Sequence, residues 1–504
     1  MDFTVKSLDH LGIISGVMQD LKISNLTDER LPQDSQVGVT SGEAVMAMIL
    51  NGLGFSNRVI SLTPQFFSNK PVDLLIRNGI KADQLNRHKL GRTLDAIANY
   101  GCEKFFNEIA LAVCLAEKID LRKMQGDTTT FSVEGAYENQ QEDAEVHITY
   151  GYSKARRPDL KQIVLELCVS PDGSIPFAMK PWSGNASDNK IFNARIKAMR
   201  KSAIESHASR FLTMDSKLYT EENIRELGNA YFVTRVPASI KLEQEYIEST
   251  LRDDIWTEKD KDYKFRSYDL EHYGTKMRWV VFYSQHARKR TIKTFTNTLK
   301  KQEEQLKKEL RHLRTQRFSC SDDAKKALVA IEKKYHFHQI TNSNINAIER
   351  HARAGRPGVG TEKIVSAYQV EATFEIMQSK IDSEIEHSSC FILATNIPEK
   401  ELSAANVINE YKGQDHVEKC FAFMKAPSFF AASFFVKSIK RIQAMLVVMT
   451  LALLIYTVAQ RRLRKWLMDN KKTIPNQIKK PVTRPTLRWA FMCLEGIYRS
   501  YASK

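Results

Sequence analysis

The sequence predicts an α/β protein: a mixed sheet flanked by helices, with a helical region before it and a large insertion within it. Three observations predict this. Residues 162–169 (QIVLELCV) are β-rich, and the turn Pro171-Asp172-Gly173 separates them from a second extended run at 175–179, the pattern of a hairpin. Short strands and helices then alternate: a strand at 210–215, a helix from Thr220-Glu221-Glu222-Asn223, and a strand at 230–235. A long polar stretch intervenes before strand character returns at 390–395.

Residues 1–120 read as a helical, DNA-binding region. Residues 41–50 begin with Ser41, carry an early acid, Glu43, and continue with helical apolar spacing. Arg87, His88, Lys89 and Arg92 stand just before a helix, against its macrodipole. They either reach out to phosphates or line a solvated face. Residues 121–236 form the first part of the sheet, with a further strand at 147–152 and a helix from Asn189 to about Ala203.

Residues 237–385 read as an insertion. A strand-like run at 277–283 leads into a long charged helix, where Ile292, Leu299, Leu306 and Leu313 recur at sevens with Phe295 and Leu310 between. That is a coiled-coil or helical-hairpin seam. Its other positions are rich in Lys and Arg, either a solvated face or a surface for DNA. The second part of the sheet occupies 386–470, and 471–504 form a basic, proline-punctuated tail.

Lys and Arg total 75 against 59 Asp and Glu, a net charge of +16. Such an excess points to a polyanionic partner, nucleic acid before an anionic membrane. The seven cysteines form no CxxC pair or zinc-ligand spacing and fit a reducing cytosol. The first residues, MDFTVKSLDH, have no signal pattern. Residues 442–459 are apolar for about the length of a short membrane span. Lys440 and Arg441 before them, and Arg461, Arg462, Arg464 and Lys465 after, put positive charge on both sides. That opposes the usual asymmetry of a span, and Gln443, Thr450 and Thr457 interrupt the run. A buried core helix is the reading.

Three acids stand where a metal site would want them. Asp127 lies among threonines at 125–131 (QGDTTTF), Asp215 ends a short strand, and Glu418 lies on a helix after the last strand. Tyr411 precedes Glu418 by seven residues and Lys425 follows it by seven, a two-turn spacing that would line them on one helix stripe. Each acid alone reads as readily as a cap or surface residue. Two strand aspartates and a helix glutamate together can converge on hard divalent cations.

On these residues the chain resembles the DDE transposases of bacterial insertion sequences, in the branch marked by Tyr, Arg, Glu and Lys around the third acid. Tyr411, Glu418 and Lys425 fit that signature in register, while Gln414 stands where the Arg would be. Residues 151–154 with 157–162, and 182–188, also look like segments of that branch. The resemblance implies an RNase H-like catalytic domain. It implies cleavage at element ends and attack of the freed 3′-hydroxyl on target DNA. Asp127, Asp215 and Glu418 would be the catalytic acids and the ligands of two Mg²⁺ ions, with Mn²⁺ as the alternative. Asp188 is the replacement should Asp215 not serve. Tyr411 and Lys425 would contact DNA, with Arg156, Arg157 and Lys161 as further phosphate ligands and His416 structural. A homodimer on DNA, in the bacterial cytoplasm and without a membrane, is the implied setting. An RNase H-like nuclease without strand transfer and a non-catalytic DNA-binding protein are the alternatives.

Overall fold

The computed structural model describes residues 3–32, 38–56, 58–138, 144–154, 156–206, 211–351, 363–429, 436 and 438–502, with backbone alone over 200–206. Arg210, the first residue of the strand expected at 210–215, lies outside them. The chain forms two compact units.

The first unit comprises Met1–Arg235, Leu270–Met277 and Ala394–Lys504. Its sheet contains the strands Lys123–Val133, Lys161–Ser170, Ile175–Ser183, Phe211–Thr213 and Tyr231–Arg235, in the spatial order third, second, first, fourth, fifth. The first three pair antiparallel, and the first, fourth and fifth run parallel. Gly173, at φ 87°, makes the expected hairpin turn, where an L side chain would be strained. Thr220 caps the helix Glu221–Leu227 by accepting from the Asn223 N–H at 3.2 Å. The fold class is the α/β mixed sheet with helical flanks that the sequence predicts.

Two local expectations fail. Residues 147–152 do not form a strand; Thr149 and Gln162 make one isolated bridge. The bridge's two backbone bonds, the Gly184 N–H donating to His147 O at 2.9 Å, and the Gln162 amide donating to Tyr152 O at 3.2 Å hold this segment where a ladder was expected; the same amide donates to Gly184 O at 2.7 Å. A Cβ on Gly151 would stand 2.2 Å from Gly184 O, which explains the bare residue. The second failure is Lys89. Asn86 caps the helix Arg87–Tyr100, so the basic residues lie in its first turns, and Lys89 is only 3% exposed, not turned out to phosphates.

The helix Ser41–Leu53 is buried along its whole length. Its cap is Thr40, one residue before the expected start: the Glu43 N–H donates to Thr40 Oγ1 at 3.1 Å, and the Thr40 N–H donates to Glu43 Oε2 at 2.8 Å. It packs on the helix Ile439–Asp469, as do Arg87–Tyr100, Cys102–Ala116 and the strand Ile175–Ser183. That helix is long and apolar enough to cross a membrane, yet its apolar part is the centre of this unit's core. Thr450 and Thr457 donate to carbonyls four residues back and so hide their hydroxyls. Three of the flanking arginines pair with carboxylates of the same unit, while Arg464 donates to Pro485 O at 2.8 Å. Arg441 forks onto Asp95 at 2.7 and 2.7 Å, Arg461 onto Asp172 at 2.8 and 2.8 Å, and Arg462 reaches Glu117 and Asp20. The buried core helix expected for 442–459 is what the structure contains.

The second unit comprises Val236–Asp269 and Arg278–Leu393. It holds the helix Lys241–Asp253, the 31-residue helix Gln285–Thr315, the helix Ser321–Glu332, a long hairpin of His338–His351 with Lys363–Ile376, and the helix Gln378–Ser388. Leu306 and Leu313 of the seven-residue repeat are buried with Ala324, Ile331, Tyr335 and Val370. The C-terminal half of the seam is therefore packed within one chain, while Ile292 and Leu299 are half-buried. Lys289, Lys293, Lys300, Lys301, Lys308 and Arg311 on the same helix are exposed.

Candidate active site

Asp127 lies on the strand Lys123–Val133, and Asp215 lies in extended backbone two residues past the end of the adjacent parallel strand Phe211–Thr213. Gln125 pairs with Thr213, and each acid lies two residues further on. Side chains repeat every two residues along a strand, and neighbouring strands lie about 4.8 Å apart. The pairing therefore brings both carboxylates to the same end and the same face. Asp127 Oδ1 accepts from the Thr128 N–H at 2.7 Å. Asp215 Oδ1 caps the turn Ser216–Leu218 by accepting from the Lys217 N–H at 2.9 Å. The Thr234 hydroxyl donates to Asp215 O at 2.7 Å and fixes the backbone there.

A helical segment is tied to the Lys123–Val133 strand at three places. Lys123 Nζ pairs with Glu410 at 2.6 Å. Gly413 meets the Gln125 side chain. Lys425 Nζ donates to Thr129 Oγ1 at 2.5 Å and lies 5.5 Å over the Phe131 ring. Asp127 falls between the last two ties on the strand, and Glu418 falls between them on the helical segment.

Tyr411 and Glu418 do not share one continuous helix, contrary to the expectation. The helices Ala404–Lys412 and Asp415–Met424 are separated at Gly413 and Gln414. The Gln414 N–H donates to Tyr411 O and the Val417 N–H to Gln414 O, both at 3.0 Å and both over three residues. Those tighter turns change the angular phase that seven α-helical residues would keep. Glu418 is exposed, Tyr411 is half-buried, and Gln414 is buried. His416 is half-buried, and burial pushes its imidazole pKa down.

Burial pushes the Asp127 carboxyl up to about 6; Lys154 opposes the shift, and Asp215 and Asp188 add to it. Burial also raises Asp215, again with Lys154 opposing and Asp188 adding. The Tyr411 phenol is pushed up to about 12, first by burial; Arg235 eases the shift, and Asp215, Glu418 and Asp127 each reinforce it. The phenol thus lies within electrostatic reach of all three acids. Burial pushes the Lys425 amine down to about 8, with Lys154 adding to the shift and Asp127 opposing it.

Asp188 joins this cluster in addition to Asp215. It opens the helix Asp188–Ser206, accepts from the Thr128 hydroxyl, and lies 3.4 Å from Lys154 Nζ. Asp188 and Lys154 carry a sequence signal only through the segments 182–188 and 151–154, and Gln125 only as a neighbour of Asp127. Among the described residues, no three His, Cys, Asp or Glu side chains are gathered around one metal position.

Arg156, Arg157 and Lys161 lie along the chain after Lys154. Arg157 is exposed and forks onto Asp159 at 2.8 and 2.7 Å. Lys161 Nζ donates to Ala136 O and stands 5.9 Å over the Tyr150 ring. Arg156 is exposed, with φ 57°.

The family model described as a transposase DDE domain matches residues 127–455, beginning on Asp127 itself and spanning well over half of the chain. The chain belongs to the DDE transposases. Residues 3–111 of the transposase match a second model, a domain of unknown function (DUF4277). No curated protein matches it. Among solved structures, a piggyBac transposase synaptic complex with hairpin DNA, seen by cryo-EM, is similar to this transposase at a TM-score of 0.38 and 8% identity. The likeness covers 96% of this chain and 79% of that one.

Proposed function

We propose that this transposase cuts DNA at the ends of its element and joins the freed 3′-hydroxyl to target DNA, with Asp127, Asp215 and Glu418 as its catalytic acids. The observation that carries the reading is the Gln125–Thr213 register, which sets Asp127 and Asp215 side by side. Glu418 enters from the helical segment docked on the same strand.

The acids suit divalent cations, Mg²⁺ or Mn²⁺, held as a pair by Asp127, Asp215 and Glu418. All the donors are hard carboxylate oxygens. Burial and the neighbouring Asp215 and Asp188 raise the proton affinity of Asp127, and burial and Asp188 raise that of Asp215, a cost that a cation would relieve. Such ions, when bound, activate an attacking oxygen and stabilise a leaving one. The protein's own part is to place the phosphodiester. Lys425, fixed over Thr129 and Phe131, offers a point charge beside Asp127. Tyr411, Arg156, Arg157 and Lys161 are the further DNA contacts; Arg157 would exchange Asp159 for a phosphate. The exposed cations of Gln285–Thr315, in the second unit, would be a separate surface for DNA. Two ends processed together call for a homodimer on DNA, acting in the bacterial cytoplasm.

The test is cleavage of element-end DNA with Mg²⁺ by Asp127→Ala, Asp215→Ala and Glu418→Ala. Each should lose cleavage while retaining salt-sensitive DNA binding. Normal cleavage by Asp215→Ala would overturn its assignment. Nicked ends without joined product would identify a nuclease.

A further inference from the structure

Lys154 brings a cation into the midst of the acids. Its Nζ lies 3.4 Å from Asp188 Oδ2 and 3.8 Å from Asp127 Oδ1, and it donates to Thr128 O at 2.8 Å and to Thr128 Oγ1 at 2.7 Å. Two carboxylates, a carbonyl and a hydroxyl form an oxygen shell of the kind a hard cation takes. The charge of Lys154 also lowers the proton affinity of Asp215. A compact ammonium in such a shell does part of the work of a metal ion: it offsets the repulsion between carboxylates held close together.

We propose that Lys154 is a resident counter-ion, which holds the acids together without metal and yields its place beside Asp127 when a divalent cation binds. Asp188 is the carboxylate that keeps the ammonium afterwards. Three features support that division. Lys154 stands nearer Asp188 than Asp127. Asp188 is fixed by the Thr128 hydroxyl and lies in the first turn of a helix, where the dipole favours negative charge. The segment before Lys154 meets the sheet through one isolated bridge at Thr149 and bonds at His147 and Tyr152, with no continuous ladder, so moving the amine breaks no strand pairing.

The inference rests on the reading that Asp127 and Asp215 bind metal, and the test separates the two. Mn²⁺ is titrated calorimetrically into full-length wild type, Lys154→Gln, Asp188→Asn, the double variant and Asp127→Asn. Melting in EDTA is recorded alongside. Removing one positive charge a few ångströms from the ion should tighten Mn²⁺ binding by roughly ten-fold or more. The same variant should melt lower in EDTA. Asp188→Asn should weaken Mn²⁺ binding in the wild-type background but not beside Lys154→Gln, because its effect passes through the lysine. Lys154→Met repeats the measurement should Lys154→Gln not fold, and Lys154→Arg, which keeps the charge, should bind as wild type does. Mn²⁺ binding by Lys154→Gln no tighter than wild type overturns the counter-ion role. Equal weakening by Asp188→Asn in both backgrounds overturns the part given to Asp188. Failure of wild type to bind Mn²⁺, or undiminished binding by Asp127→Asn, overturns the metal reading and this inference with it.

Discussion

Gln125 and Gly413 meet so closely that a Cβ on Gly413 would stand 2.1 Å from Gln125 Nε2 and 3.0 Å from Glu410 O. The backbone of Gly413, at φ −57° and ψ −22°, would accept any residue, so the glycine is there for space. Gln125 is 2% exposed and has little room to retreat. Gly413→Ala should therefore cost about 1–3 kcal/mol of stability by overpacking, outweighing the helix propensity it gains, which is at most about 1 kcal/mol. Adding Gln125→Ala should recover most of the loss. Urea unfolding of the two single variants and the double variant measures this, and a Gly413→Ala protein as stable as wild type would refute it.

The Asp127 carboxyl has a definite pH signature in metal-free protein. Its folded pKa, about 6, lies above its ordinary value of 3.8, so the folded state holds the proton more tightly than the unfolded one. Stability should then fall as pH rises through the window from about 4 to about 6, and level off above it. Two pKa units correspond to a few kcal/mol, on the order of 3. Asp215 shifts in the same direction and adds to the slope. Asp127→Asn should flatten much of it. Denaturant melts across that window in EDTA read the effect; a wild type whose stability rises over the same range would contradict it.

Much of this architecture is legible in the chain because it is local. Pro171-Asp172-Gly173 marks its hairpin within three residues, and 442–459 shows a core helix by long apolarity, interrupted only by Gln443 and two threonines whose hydroxyls bond back to the helix. Asp127, Asp215 and Glu418 stand out as candidates from their local contexts alone. What was not readable depends on distant partners. Lys154 reaches Thr128 across 26 residues and Asp188 reaches it across 60, distances over which no periodicity operates. The need for glycine at 413 follows from a contact with Gln125, on a strand far earlier in the chain. Lys89 is buried because of how its helix packs, which its charge concealed.

Glu166 and Arg195 form a buried pair that positions the Asp188 helix. Arg195 Nε donates to Glu166 Oε1, and Trp182 Nε1 donates to Glu166 Oε2 at 3.0 Å. Glu166 is 1% exposed and Arg195 8%. Burial alone would lower the Arg195 pKa, but Glu166 outweighs it and holds the guanidinium above its usual range. Glu166→Ala leaves that charge buried with its main partner gone and should cost about 3–5 kcal/mol. Replacing both residues by leucine should restore most of the stability. If the pair also places Asp188, the leucine protein should bind Mn²⁺ differently from wild type despite its recovered melting temperature.

Lys425 couples activity to pH at the alkaline end. Burial, reinforced by Lys154, holds its amine at about 8, well below the usual lysine value of 10.5. Below that pH the amine is charged and can hold a phosphate against the Thr129–Phe131 stretch of the strand; above it the charge is lost. Cleavage by wild type should therefore decline as pH rises through about 8. Lys425→Arg keeps its charge throughout that range, because a guanidinium stays protonated beyond pH 12. Its planar fork cannot reproduce the single contact to Thr129 Oγ1, so its rate should start below wild type at neutral pH yet stay level across the window where wild type falls. Lys425→Met should be slow at every pH. The measurement is initial cleavage rate against pH at fixed ionic strength for the three proteins. A decline through pH 8 that persists in Lys425→Arg would assign the titration to another group.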